Sequence, residues 1–170
     1  AKNTTILNCV NEATVFSGGN RAGGIAAQLD SACVVTACTN RGAVTGTDGL
    51  GGIAGVVLDR ETVLCDCVNE AALTANGSSV GIGGIAGSIG GSLTRCANYG
   101  ALRGRGWYMG GVAGTCMTEN AAALHDCYNV GDITNEHTYS KAGTGGLIGY
   151  GNYYRAENCF NYGTVTAAAG

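Results

Sequence analysis

The sequence has no proline, and its 31 glycines lack the strict triplet period of a collagen. Charge is scarce too, with Asp, Glu, Lys and Arg making up 12% of the chain. Because 45% of the residues are apolar, this composition excludes a disordered segment, which needs low hydrophobicity and high net charge. The formal net charge is −3 and the nine Lys and Arg are scattered, so no basic stripe exists for nucleic acid. No run of about 18 apolar residues occurs, which excludes a helical membrane span in this segment. The opening residues lack the charged-then-apolar layout of a signal peptide, and there is no initiator Met. The expectation is a mature product or an excised piece of something longer.

What the chain does contain is a repeat, which has to be settled before any motif is interpreted. "CVNEATV" at Cys9 returns as "CTNRGAV" at Cys38, "CVNEAAL" at Cys67, "CANYGAL" at Cys96, "CYNVGDI" at Cys127 and "CFNYGTV" at Cys159. A Gly-Gly block follows each of the first five, starting at Gly23, Gly51, Gly83, Gly110 and Gly145. The unit is about 29 residues long, and its copies span roughly 4–31, 32–60, 61–90, 91–119, 120–152 and a partial 153–170 within one domain covering 1–170. From each Cys, positions 0, +2, +4 and +6 hold Cys, Asn, a small residue and an aliphatic, a period of two that marks a strand. The Gly-Gly block gives a second such strand. An aliphatic three residues before each Cys (Ile6, Val35, Leu64, Leu93, Leu124) has an odd spacing, which requires a corner and a short third strand.

A unit of short strands with no helical period, too short to bury its own face, predicts an all-β fold: a right-handed parallel β-solenoid, or β-helix. It would have about five to six coils of ~29 residues and up to three short strands per coil. At a coil spacing of about 4.8 Å the rod is on the order of 25–30 Å long. Equivalent positions then become axial neighbours. Asn11, Asn40, Asn69, Asn98, Asn129 and Asn161 form an amide ladder. Glu12, Arg41 and Glu70 alternate in sign in an outward column, as do Asp66, Arg95 and Asp126 beside the Cys. Tyr128 and Phe160, with Tyr162 and Val130, make an aromatic patch in the last coils.

Nine cysteines invite a disulfide or metal reading, but a parallel column points its thiols one way. Disulfides need converging Cβ atoms, and zinc needs four converging ligands. The ladder of Cys9, Cys38, Cys67, Cys96, Cys127 and Cys159 is therefore expected to be small buried packing, with no metal and no cofactor. Unpaired thiols fit a reducing or anoxic setting. His125 and His137 are the only histidines, and no nucleophile-base constellation accompanies them, so no catalytic residue is assigned. The acids Asp30, Asp48, Asp59, Glu61 and Glu119 fall in no common column, against a paired-carboxylate glycosidase or a polysaccharide lyase. The segments before each Gly-Gly block vary in length along one edge and read as loops, the usual seat of binding on a rigid scaffold. Arg103, Arg105, Trp107 and Tyr108 in the fourth, and His137, Tyr139 and Lys141 in the fifth, are the candidate binding residues, together with Tyr128, Phe160 and Tyr162.

The units "TILNCVNEATV…GGIAA" and "CTNRGAVTG…GGIAG" resemble GLUG-type repeats of bacterial secreted and surface proteins, including adhesin-like proteins and noncatalytic regions of IgA-specific metallopeptidases. The resemblance covers essentially the whole chain, although the family typically has Gly-Gly-Leu-Val-Gly where this chain mostly has "GGIAG". It implies a noncatalytic extracellular repeat module, a rigid scaffold or adhesin at a bacterial surface, with a host or cell-surface protein or carbohydrate as partner. Adjacent domains or head-to-tail self-association would cover its open strand edges. The alternatives are a carbohydrate-active β-helix enzyme, a filament subunit, and an ice-binding solenoid. The last would need a flat Thr array, and the column Thr45, Thr74, Thr134 and Thr166 is interrupted by Phe16 and Arg103.

Overall fold

The computed structural model describes residues 1–116, 122–139 and 141–168. Equivalent strands of successive coils pair in parallel and form four stacks. The first stack holds the aliphatic strands Thr5–Leu7, Val34–Thr36, Val63–Cys65, Ser92–Thr94, Ala122–His125 and Tyr154–Glu157. The second holds the Asn strands Val10–Asn11, Thr39–Asn40, Val68–Asn69, Ala97–Asn98, Tyr128–Asn129 and Phe160–Asn161. A third, broader stack runs through Leu73–Gly83 and Leu102–Gly110, and the fourth comprises Ala26–Leu29, Ala54–Val57, Ala86–Ile89, Ala113–Cys116 and Ile148–Gly151. There is no helix among the described residues, and the chain is a parallel β-solenoid of five coils and part of a sixth.

The corner required before each Cys is made by one residue. Asn8, Ala37, Asp66, Arg95, Asp126 and Asn158, each immediately before a ladder Cys, all have φ between 50° and 55°. This left-handed residue turns the chain so that the aliphatic at −3 and the Cys both face inward, while its N–H still bonds to the next coil, as in Ala37 N–H to the Cys65 carbonyl at 3.0 Å. Asn and Asp tolerate the conformation, whereas Ala37 and Arg95 hold it at a cost of about 1–2 kcal/mol each.

The structure adds to the strand reading in two places. The segment from Cys to +6 reads as one strand but bends at +4, giving the separate strands Val10–Asn11 and Val15–Phe16. At Gly42 and Gly100 even a methyl has no room there, because a Cβ would collide with the carbonyl of Ala13 or Ala71 one coil earlier. The segments before the Gly-Gly blocks, read as loops, are largely strand in the first four units, as Asn20–Gly23, Asp48–Gly51 and the second halves of Leu73–Gly83 and Leu102–Gly110, whereas in the fifth residues 136–139 are irregular as expected and only Gly143–Gly145 is strand. They fold back to bury a second core of Ala22, Val44, Leu50, Leu73, Ile82, Leu102, Met109 and Ile133. The first core lies between the first and fourth stacks and contains Val35, Leu64, Leu93 and Leu124 opposite Ile53, Ile85 and Val112, with Cys38, Cys67, Cys96 and Cys127 at its edge.

Between the coils runs the amide ladder. Each Asn donates to the side-chain oxygen of the next, from Asn11 through Asn161, at 2.6–2.8 Å. The second N–H of Asn69, Asn98 and Asn129 goes to the carbonyl two residues on, in each case at 2.8 Å. The second glycine of each Gly-Gly pair lies against an Asn of the following coil: a Cβ on Gly24, Gly52, Gly84, Gly111 or Gly146 would collide with Asn40, Asn69, Asn98, Asn129 or Asn161. The two halves of the repeat are therefore one lock, an amide fitted where a side chain is missing.

Three variants probe this lock and the corner by thermal or denaturant unfolding. Asn69→Ala leaves Asn40 without its acceptor and Asn98 without its donor in a buried site, and loses roughly 2–5 kcal/mol. Gly84→Ala forces the Asn98 amide aside and loses a comparable amount. Ala37→Gly removes a left-handed non-glycine residue and raises the midpoint, by about 0.5–1 kcal/mol.

Candidate functional site

The repeated polar columns are used along the axis. Arg41 bridges Glu12 at 3.0 Å and Glu70 at 2.9 Å, as the alternation predicts. Arg95 pairs with Asp66 through two hydrogen bonds of 2.7 and 2.8 Å, and this guanidinium, with the Cys65 thiol, holds the Asp66 carboxyl below its usual range. Asp126 does not complete that column, because it turns to His125 Nδ1 at 2.7 Å. These pairs are exposed, so solvent screening leaves each of them little net contribution to stability. Phe16, Thr45, Thr74, Arg103, Thr134 and Thr166 do stack in one register, so the Thr array is interrupted as its sequence implies.

The acids are occupied locally. Asp48 accepts from the N–H groups of Gly49 and Val80 at 2.8 and 2.7 Å, and Asp59 from those of Thr62 and Ala32, both at 2.9 Å. Asp30 lies 4.0 Å from Lys2. Glu119 lies outside the described residues. Among the described residues no cluster of three or more His, Cys, Asp or Glu is placed to hold a metal.

All nine cysteines are free thiols. Cys38, Cys67, Cys96 and Cys127 each donate to the carbonyl two residues earlier at 3.3–3.5 Å and approach a carbonyl of the preceding coil at 3.5–3.7 Å. Contacts to the neighbouring thiols of Cys127 and Cys67, reinforced by burial, hold Cys96 well above the ordinary thiol range. Burial alone pushes Cys116 up to about 12.

What remains for a partner is aromatic and lies on the outside of the later coils. Arg103, Arg105 and Trp107 alternate along the strand Leu102–Gly110 and share its exposed face. Arg103 bonds to Glu136 at 2.8 Å. Trp107 packs on Tyr139 with ring centroids 5.0 Å apart and on His137 at 5.8 Å, and Val80 of the coil before is exposed beside it in register. Lys141 follows in an exposed turn closed by the Ala142 N–H to the Tyr139 carbonyl. Tyr108 is not part of this group. As the neighbour of Trp107 in a strand it points the other way and stacks on Tyr150 at 4.5 Å.

The second aromatic surface is an axial column. Tyr128 stacks on Phe160 at 5.0 Å with planes 7° apart, and Tyr162 meets Phe160 edge-on. Tyr99 extends the column, sharing a 2.5 Å hydroxyl–hydroxyl contact with Tyr128, and this bond with partial burial pushes the Tyr128 phenol up. Tyr99, Tyr150 and Glu136 join these residues in the fold. Tyr99 was legible as a member of the same column as Glu12 and Tyr162, whereas Tyr150 and Glu136 become partners only through the fold.

The sequence matches no protein-family model and no curated protein. Its fold is similar to that of a solved structure described as "a putative immunoglobulin A1 protease from Bacteroides ovatus", with a TM-score of 0.61 at 18% identity. The match covers 88% of this chain and 49% of that one, so the chain spans about half of its neighbour's length. At this identity the likeness is one of fold.

Thiol chemistry reports the burial pattern. A thiol reagent at neutral pH titrates exposed Cys9 first, then half-buried Cys65 and Cys159, and reaches the remaining six only on denaturation. The Cys116 thiol rises from 9.0 to about 12 on folding, so the folded state holds more protons between those values. Its contribution is complete below pH 9 and is lost as the pH rises toward 12. Cys116→Val therefore flattens the alkaline loss of stability by up to one proton's worth of slope.

Proposed function

We propose that this chain is a noncatalytic repeat module of a bacterial secreted or surface protein, a stiff scaffold that presents the Trp107 edge to a protein or carbohydrate partner. The carrying observation is that the Asn and Cys ladders and the Glu12–Arg41–Glu70 and Asp66–Arg95 groups are spent in columns along the axis, whereas Trp107, His137 and Tyr139 gather on an outer edge with Arg105 exposed nearby. A column can hold a rod together but cannot converge on a reacting atom. An aromatic cluster anchored by a tryptophan on a strand of a rigid sheet offers a large contact area.

The extracellular placement rests on the resemblance to GLUG-type repeats. The fold neighbour's description also supports it, since an immunoglobulin is an extracellular target. The free thiols then imply an anoxic exterior.

The test is binding of the purified chain to arrays of glycans and of extracellular host proteins. Trp107→Ala is expected to weaken the selected interaction by about 30-fold, the loss of a central aromatic anchor. Phe16→Ala, at an exposed ring in the first coil, leaves binding unchanged, and both variants keep the parental melting temperature. Binding that survives Trp107→Ala combined with Tyr139→Ala moves the contact elsewhere. Cleavage of any polysaccharide in a panel by the intact chain overturns the noncatalytic reading.

A further inference from the structure

The fold-back segments of the third stack lie against the outer side of the fourth, and one column from each meets at the seam. Arg21, Gly49, Gly81 and Tyr108 follow one another in register on the fold-back side, and Gln28, Val56, Ser88, Thr115 and Tyr150 on the other. Both ends of the seam are filled. In the first coil Arg21 bonds to Gln28 and Gln28 to Asp30, and in the later coils Tyr108 stacks on Tyr150. Between them the two glycines leave a cleft of about 150 Å³. Neither position readily takes a side chain: Gly49 has a φ of 53°, and a Cβ on Gly81 would lie 2.5 Å from the Gly87 carbonyl oxygen. The polar groups lining the cleft have hydrogen-bonding capacity to spare. Oδ1 of Asp48 holds the Gly49 and Val80 N–H groups, while Oδ2 and the hydroxyls of Ser88 and Thr115 have no partner among the described residues, although Thr115 is only 1% exposed. Val56 and Val80 make the apolar part of the wall, and exposed Val80 lies beside Trp107 in register.

We propose that this cleft binds one neutral pyranose ring, which makes the partner of the Trp107 edge a glycan; the inference rests on the reading of that edge as the recognition surface. Charge narrows the ligand first. Asp48 opposes an anion and Arg21 a cation, because like charges brought together exclude a partner. An apolar occupant would strip water from the Asp48 carboxylate and the Thr115 hydroxyl and give them nothing in return. What satisfies the cleft is a neutral group carrying several hydroxyls. Two neighbouring hydroxyls of a sugar donate to Asp48 Oδ2 and exchange hydrogen bonds with Ser88 and Thr115, while the C–H face of the ring lies on Val56 and Val80. Size sets the rest. The volume is half the lower bound of about 300 Å³ for sites that take drug-sized ligands, so one ring enters. The remainder of the glycan leaves past Val80 toward Trp107, where an aromatic face can cover a second ring.

The experiment is a heteronuclear NMR titration of the whole chain with the methyl pyranosides of glucose, galactose, mannose and N-acetylglucosamine. At least one is expected to bind saturably in the low-millimolar range, with amide shifts centred on Gly49, Val80, Gly81 and Thr115. Tetrahydropyran, the same ring without hydroxyls, shows no binding. Asp48→Asn keeps an acceptor for the two backbone N–H groups but turns the free oxygen into a donor, and weakens binding about tenfold. Ser88→Tyr, whose ring has a precedent at Tyr150 in the same column, fills the cleft and abolishes binding at an unchanged melting temperature. The site is overturned if none of the four pyranosides binds at tens of millimolar, if the shifts centre elsewhere, or if binding ignores both variants. It also falls, with the Trp107 edge left standing, if a ligand selected on the arrays needs Trp107 yet tolerates Ser88→Tyr. Pyranoside binding in the cleft beside an array ligand indifferent to Trp107→Ala does the reverse, keeping this site and removing the edge.

Discussion

The fit between the Asn column and the second glycine of each Gly-Gly pair sets the rest of the structure. A buried primary amide carries two donors and a strong acceptor, and here an interior rung spends all three: one N–H up the axis, one on the carbonyl two residues on, and its oxygen on the amide below. Asp could accept but not donate, and Leu could do neither, so the position is specified by hydrogen-bonding capacity more than by shape. The amide has room only because the facing backbone carries no side chain. Each coil therefore fixes the height and rotation of the next, and a slip of one residue toward the following aliphatic would bring a Cβ into the amide.

The corner and the cysteines follow from that register. A left-handed residue before each Cys lets the chain turn without breaking the axial bond at its own N–H. The turn also leaves the carbonyl two residues before the Cys directed at the thiol. A small side chain that packs as a hydrophobe yet offers a weak donor suits this place, and the Sγ contacts to carbonyls of the same and the preceding coil use that property. The repeated Cys is thus an interior fitting with the chemistry of a corner.

Equivalent positions were legible because a solenoid turns sequence periodicity into spatial adjacency. The 29-residue spacing alone brings Arg41 between Glu12 and Glu70, and Asn69 between Asn40 and Asn98. Features that break the period were hidden. The segments before the Gly-Gly blocks differ in length and include a register shift between Ala75 and Ser78, so their strand character and the second core around Leu73, Ile82 and Met109 do not show as a repeat. Ala37 and Arg95 carry no residue-type signal for a left-handed corner, which emerges only from their equivalence to Asn8 and Asp66. Trp107 and Tyr108 were grouped by adjacency, but alternation in a strand separates them, one to Tyr139 and the other to Tyr150.

Because the interior lock decides the register, the outer columns are free to change chemistry. The column that holds Glu12, Arg41 and Glu70 in the first three coils holds Tyr99, Val130 and Tyr162 in the last three. Exposed ion pairs contribute about 0–1 kcal/mol, and aromatic pairs such as Tyr99–Tyr128 and Tyr128–Phe160 about 0.5–1.5 kcal/mol beyond their buried area. Neither set is large enough to compete with a buried ladder for control of the stacking. The surface can therefore pass from ionic to aromatic along one rod with little effect on stability. Recognition can concentrate in the later coils, where Trp107, Tyr128 and Phe160 lie, while the first coils keep the same backbone with a different face.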